Sequence, residues 1–316
     1  MGWRALAYLA AGVALLLIVA ETVLRWGIGL GDPPLARLDP VTEYELVPSA
    51  TYRRWGNTIS INANGMRAPD HPDVPTGDER HLLMIGDSVV YGGHFLDQSQ
   101  TISAQLRQQL EDDPELSGCV FQVLPMAVSS WGPVNQAAFL AKHGAFGASV
   151  AGIVVSAHDL YDVPQHASDI LPYRQAPSWT AIGDAVQAVT ERYYQAANSG
   201  EGLQPLWVRQ DLTLAALDDM AKRLRDQNVQ PVLIYHPTIQ ERAGVGKPEK
   251  AVFFEWSETR NIPWIDLNNI QMQAGDYRDD IHPAASGAAH IAQHIAQHIA
   301  PVMGGATPTC DTGDRG

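Results

Sequence analysis

The stretch His81-Leu-Leu-Met-Ile-Gly-Asp-Ser-Val-Val-Tyr-Gly-Gly93 decides how the rest of the chain reads. Leu82 to Ile85 is a short, unbroken apolar run, the pattern of a strand buried on both faces of a parallel sheet. It stops abruptly at Gly86-Asp87-Ser88. Glycine permits a sharp turn at the strand's C-terminal end, Asp87 can tie that turn to backbone N–H groups, and Ser88 is left at the lip. Open α/β sheets bind ligands outside the carboxyl ends of their strands, so Ser88 is a candidate nucleophile. The same residues also read as a plain turn with a helix-capping serine.

A second stretch, Asp279-Asp-Ile-His-Pro283, bears on that choice. It places a carboxylate three residues before a histidine, just ahead of a helix-like segment. A serine hydroxyl needs a base to take its proton, and the base needs a partner that holds its tautomer and stabilises the imidazolium. Ser88, Asp279 and His282 supply those roles in the order Ser, Asp, His. The Gly-x-Ser-x-Gly elbow of the α/β-hydrolases does not fit, because Ser88 is followed by Val89 and Val90.

Together, Gly86-Asp87-Ser88 and Asp279-x-x-His282 resemble the SGNH (GDSL-type) hydrolases, a superfamily of esterases, lipases and carbohydrate O-acyl esterases. The resemblance runs over roughly residues 80 to 303. It implies Ser88 as nucleophile, His282 as base, Asp279 as its orienting partner, and an oxyanion hole completed by a glycine and an asparagine. Two positions depart from that pattern. The glycine's place after the second strand falls on Ser130, with Gly132 two residues on. The asparagine's place after the third strand is taken by His158, in Ala157-His158-Asp159. A backbone N–H is the group required from the first position, so Ser88, Ser130 and Gly132 are the backbone candidates. An imidazole N–H can donate as an amide does, so His158 either replaces the missing donor or leaves a weakened hole. Asp87, Asp159 and His236, at the active-site ends of strands, are candidates for substrate contact. Asn62-Ala-Asn-Gly65-Met-Arg67 is similar to a segment found before the Gly-Asp-Ser block in membrane-anchored members, and Arg67 either closes over the site or is structural.

The 316 residues suffice for a sizeable core, and 45% hydrophobic with 18% charged residues is the composition of a folded protein. The formal net charge of −14 excludes a nucleic-acid partner, since no basic stripe exists to replace phosphate counterions. It also disfavours attachment to anionic lipid through surface charge. Membrane contact is expected from the N-terminus instead. Ala5 to Ala20 carries no charge and, with Trp3 and Val23-Leu24, approaches the length needed to span. Arg4 precedes it, Glu21, Arg25 and Trp26 follow it, and no Ala-x-Ala-like cleavage site stands out. The reading is an uncleaved single-pass anchor in a bacterial-type cytoplasmic membrane, with the body periplasmic or extracellular. A cleaved signal peptide is the alternative. The two cysteines, Cys119 and Cys310, can pair in such a compartment.

Apolar runs at Val120 to Val128, Val150 to Ala157, Val229 to Tyr235 and Ile262 to Leu267 alternate with helical patterns. This predicts a doubly wound, flavodoxin-like parallel α/β sheet of about five strands in three αβα layers. The domain reading is an anchor over 1–27, a stalk and edge segment over 28–80, a hydrolase domain over 81–303 and a disordered tail over 304–316. Residues 160–208 exceed a simple strand-to-helix connection and read either as a lid or as helix packed on the domain. His290, His294 and His298 recur at helical spacing, but no carboxylate completes a ligand set, so no metal and no cofactor are expected. The expected activity is removal of O-acyl, chiefly O-acetyl, groups from an envelope or extracellular carbohydrate or a related small ester. An O-acyltransferase with the same triad, or a decayed glycan-binding scaffold, are the alternatives.

Overall fold

Five apolar runs become one parallel sheet in the computed structural model, which describes residues 2–164, 174–198 and 204–306. The chain opens with α1 (Trp3–Thr22), whose apolar helical stretch continues to Ile28 without burying any residue. Two hairpins follow: β1 (Ala36–Asp39) with β2 (Glu43–Leu46), and β3 (Ala50–Arg54) with β4 (Asn57–Ile61). The first sheet strand is β5 (Glu79–Gly86), leading into the one-turn helix α2 (Ser88–Tyr91) and then α3 (Ile102–Glu111). Next come β6 (Val120–Ala127), α4 (Pro133–His143), β7 (Val150–Val155), α5 (Ala181–Asn198) and α6 (Leu206–Asp226). The remainder is β8 (Gln230–Tyr235), α7 (Ile239–Arg242), α8 (Pro248–Thr259), β9 (Trp264–Asp266) and α9 (Ala285–Ala306).

The parallel sheet has the order β6-β5-β7-β8-β9, the flavodoxin-like arrangement expected. Leu82, Leu83, Met84 and Ile85 are 0% exposed, because helices cover both faces. Each such side chain contributes about 1.5–3 kcal/mol relative to exposure. The chain departs from β5 first to β6 on one side and then to β7 on the other. The C-terminal end of β5 is therefore the switch point, where a crevice opens.

Helix α3 packs against α9, and α4 against α6, giving the outer layers. On α9, Ile291, Ile295 and Ile299 are fully buried, while His290 and His298 are exposed. The histidine repeat thus runs beside the core stripe.

Residues 36–61 differ from the expected stalk. Tyr44, Leu46, Tyr52, Ile59, Ile61 and Met66 are buried in the same core as the parallel sheet. The alternation of Ile59 and Ile61 predicts an edge strand, and β4 is that strand, paired with β3; the alternation of Tyr44 and Leu46 in β2 is too short to stand out among prolines and charges. Helix α9 also continues to Ala306, past the expected start of the tail. Residues 307–316, with Cys310 of the expected disulfide, lie outside the described residues, as do 165–173 and 199–203 of the expected lid.

Candidate active site

The turn after β5 is built by close packing. A Cβ on Gly86 would lie 2.5 Å from a Val90 methyl carbon. Gly86 is therefore needed for the approach of α2 to the strand, and its φ is not in the left-handed region. Asp87 caps α2: its Oδ1 accepts the Val89 N–H at 2.8 Å. Ser88 is the first helical residue, partly exposed at the mouth of the crevice.

The loop before α9 meets it across 194 positions of sequence. The Ser88 Oγ lies 2.8 Å from His282 Nε2. His282 Nδ1 lies 2.9 Å from both carboxylate oxygens of Asp279. With Nδ1–H donating to Asp279, Nε2 is left as the acceptor for the Ser88 hydroxyl. Asp279 Oδ1 also accepts the backbone N–H groups of Ile281 and His282, at 3.1 and 2.8 Å. Burial opposes the charge on Asp279, but these N–H groups and the imidazole hold its carboxyl below the usual range.

His236 holds this loop from beneath. It is 0% exposed, and its Nε2–H donates to the Ile281 carbonyl at 2.8 Å. Burial pushes its pKa down to about 4, so the ring is neutral. Arg242 adds a second tie, donating to Tyr277 Oη and to the Leu267 and Ile270 carbonyls. Arg278 lies over the Phe95 ring, joining this loop to the one that follows Ser88.

The oxyanion candidates separate. The N–H groups of Ser88 and Ser130 donate to no partner among the described residues. Ser130 is exposed, three residues beyond Ala127, which is the register partner of Gly86. Its φ of +62° lies in the left-handed region that favours glycine, so a serine holds a glycine's backbone conformation there. Gly132 does not fit the role. It is buried, its N–H donates to Asn135 Oδ1 at 3.2 Å, and a Cβ on it would meet the Asp162 carbonyl oxygen at 1.9 Å. Its absent side chain lets the β6–α4 turn press against the loop that carries His158.

His158 is engaged differently from the expected free donor. Its Nε2 faces Asp87 Oδ2 at 3.1 Å and Asp159 Oδ1 at 3.7 Å. Burial disfavours the imidazolium, but Asp159, Asp87 and Asp162 outweigh it and push the pKa up to about 10. His158 is thus a cation at neutral pH. Asp87 stays ionised: burial works against it, and the His158 hydrogen bond and charge hold its carboxyl below the usual range. Burial pushes Asp159 up to about 8, countered by His158 and reinforced by Asp87.

Three of the substrate-contact candidates are enclosed. Asp87, Asp159 and His236 are 4%, 1% and 0% exposed, so none presents its side chain to a bound molecule. Among the described residues, Asp87, His158 and Asp159 offer three ligand atoms within 4.8 Å of one another, a grouping that could hold a metal ion. Their mutual hydrogen bond and charge balance already account for the grouping.

The support from the N-terminal hairpins had no counterpart in the sequence reading. Tyr44 Oη donates to the Ser129 carbonyl at 2.7 Å, and Trp131 Nε1–H donates to the Tyr44 carbonyl at 3.2 Å. Asn135 Nδ2–H donates to the Thr42 carbonyl at 3.0 Å. Only the spacing of Asn135, three residues after Gly132, signalled a capped helix start. Arg67 is structural and 2% exposed. It donates to the carbonyls of Tyr91, Gly93 and Leu96, fixing the loop after the candidate nucleophile.

No protein-family model and no curated protein matches the sequence. Solved structures similar to it include the following three. TesA is 17% identical, covering 71% of this chain and 100% of its own, with a TM-score of 0.46. An aryl esterase of M. smegmatis is 12% identical, covering 71% and 100%, with a TM-score of 0.43. A carbohydrate acetylesterase from Sinorhizobium meliloti is 12% identical, covering 71% and 100%, with a TM-score of 0.40.

Proposed function

We propose that the chain is a membrane-anchored SGNH-type serine esterase that removes O-acyl groups, chiefly O-acetyl, from an envelope or extracellular carbohydrate. The observation that carries this reading is the contact of 2.8 Å between Ser88 Oγ and His282 Nε2, with Asp279 behind the imidazole. Ser88 Oγ attacks the ester carbonyl carbon as its proton passes to His282, and Asp279 stabilises the imidazolium. The backbone N–H groups of Ser88 and Ser130 are the donors offered to the developing oxyanion, and the positive charge on His158 makes the local potential more favourable to it. His282 then protonates the leaving sugar oxygen, and water releases the acyl group by the same steps in reverse order.

The carbohydrate substrate rests on the sequence resemblance together with the N-terminal apolar helix, which would place the domain on the periplasmic or extracellular side of a cytoplasmic membrane. Catalysis is assigned to residues 81–303, with residues 36–61 packed into the same core.

The test uses the full chain in detergent with p-nitrophenyl acetate and with acetylated polysaccharide, against Ser88→Ala. The expected result is acetate release lost in the variant by at least about 10³-fold. Absence of Ser88-dependent turnover from about pH 6 to 9, where a histidine base is active, would overturn the reading.

A further inference from the structure

The junction between the apolar helix and the domain is held by hydrogen bonds at several points. Glu21 caps α5 from outside it: its two carboxylate oxygens accept the Ala181 and Ile182 N–H groups at 2.8 and 3.1 Å. Arg25 donates to Glu21 and to the Trp179 carbonyl, the latter at 3.2 Å. The Gly56 N–H donates to the Ile28 carbonyl at 2.9 Å, and Arg53 Nη1 donates to the Trp26 carbonyl at 3.3 Å. Gly29, at φ +81°, lies so close to the Arg53 carbonyl that a Cβ would stand 2.5 Å from its oxygen. Immediately beyond, the Gly31 N–H donates to Asp184 Oδ2 at 2.6 Å, and that carboxylate also pairs with Arg54 and Arg174.

Three tryptophans surround this junction, each from a different segment. Trp26 is in the last turn of the apolar stretch, Trp55 is beside the Gly56 contact, and Trp179 is beside the Arg25 contact. They are 74%, 42% and 100% exposed. Trp131 and Trp256 are buried in the core, while Trp3, Trp207 and Trp264 are exposed elsewhere in the chain. Three large aromatic side chains left in water would forfeit their burial. The indole ring, apolar with one N–H, is the side chain that favours the boundary between acyl chains and headgroups.

From these contacts we infer that the junction is a lipid-facing seat. The domain rests on the bilayer that α1 enters, with Trp26, Trp55 and Trp179 in the headgroup layer. The occupant follows from continuity: Trp26 is in, and the backbone at Trp55–Gly56 and Trp179 adjoins, the end of a long, largely apolar helix none of whose residues is buried. The seat also reaches the candidate nucleophile. Asn57 Nδ2–H donates to the His94 carbonyl at 3.0 Å, and the Thr58 N–H donates to Asp97 Oδ2 at 2.9 Å. The loop that follows Ser88 is thereby fastened to the hairpin standing on the membrane. The site works at a set height over the lipid surface, as suits an ester presented there. The inference rests on α1 being a retained anchor.

The test reconstitutes the full chain into phosphatidylcholine vesicles whose acyl chains are brominated either near the glycerol end or near the methyl end, and reads tryptophan fluorescence. Trp55→Phe/Trp179→Phe is compared with the unaltered chain, with soluble p-nitrophenyl acetate turnover as the check that both are folded. The expected result is strong quenching by shallow bromines, weaker quenching by deep ones, and loss of a large part of the shallow quenching in the double variant. Shallow quenching equal in the two proteins would overturn the seat while leaving the anchor in place. A chain that washes off the vesicles in alkaline carbonate would overturn the anchor and the seat together.

Discussion

At the scale of single residues, the proposed chemistry rests on Ser88 and His158. The proposed nucleophile shares a proton with His282, whereas the role proposed for His158 is through charge. Because burial is outweighed by Asp159, Asp87 and Asp162, which push the His158 pKa up from 6.5 to about 10, its contribution to folding is fully present below 6.5 and is lost as pH rises through about 10. The melting temperature should therefore fall between about pH 7 and 10, and fall less steeply in His158→Gln, which keeps an N–H for Asp87 without the charge. Equal slopes in thermal scans would show that the charge is not coupled to folding. In turnover, His158→Gln should slow kcat by about 10- to 100-fold, less than loss of a direct oxyanion donor. An unchanged kcat removes the residue from the mechanism.

One turn and one loop decide the geometry at the scale of elements. The β6–α4 turn is shaped by Gly132, whose missing side chain admits the Asp162 carbonyl. Gly132→Ala forces that backbone apart, and a cost of about 1–3 kcal/mol is expected from overpacking. A denaturant midpoint equal to the unaltered protein's would show that the turn can yield. The loop that carries Asp279 and His282 hangs on His236 through the Ile281 carbonyl. His236→Phe keeps most of the ring volume and removes the donor, so kcat for a soluble ester should drop about tenfold or more while KM stays within a factor of about two. A rise in KM with kcat intact would instead make His236 a substrate contact, which its burial argues against.

For the whole molecule, the N-terminal segment and its second hairpin are locked to α5 by one buried carboxylate. Asp184 is 0% exposed and pairs with Arg54 and Arg174 as well as the Gly31 N–H. Breaking a buried pair of this kind costs about 3–5 kcal/mol, because the partner charges are left uncompensated. Asp184→Asn should lower the melting temperature by several degrees and loosen residues 29–61 to hydrogen exchange ahead of β5 and β7. Uniform exchange across the chain would show that the hairpins are not held through this contact.

Much of this was legible in the residues themselves. The runs around Leu82, Val123, Val150 and Val232 read as buried strands because a parallel strand covered on both faces needs an unbroken apolar sequence. Their alternation with amphipathic helices then leaves few topologies. Ser88, Asp279 and His282 stood out because a nucleophile, a base and its orienting carboxylate carry local signatures. What the sequence could not express were contacts whose two ends are far apart in the chain. The hairpins over residues 36–61 become a wall of the site only through the Tyr44–Ser129 and Asn135–Thr42 hydrogen bonds. Gly132, chosen from its type, lost its donor to Asn135, and the direction in which His158 points was decided by Asp87, held 71 positions away. Local pattern specifies which segments are buried and what chemistry they carry. Which N–H is free and which charge meets which is decided by packing, since those energies exist only once distant segments touch.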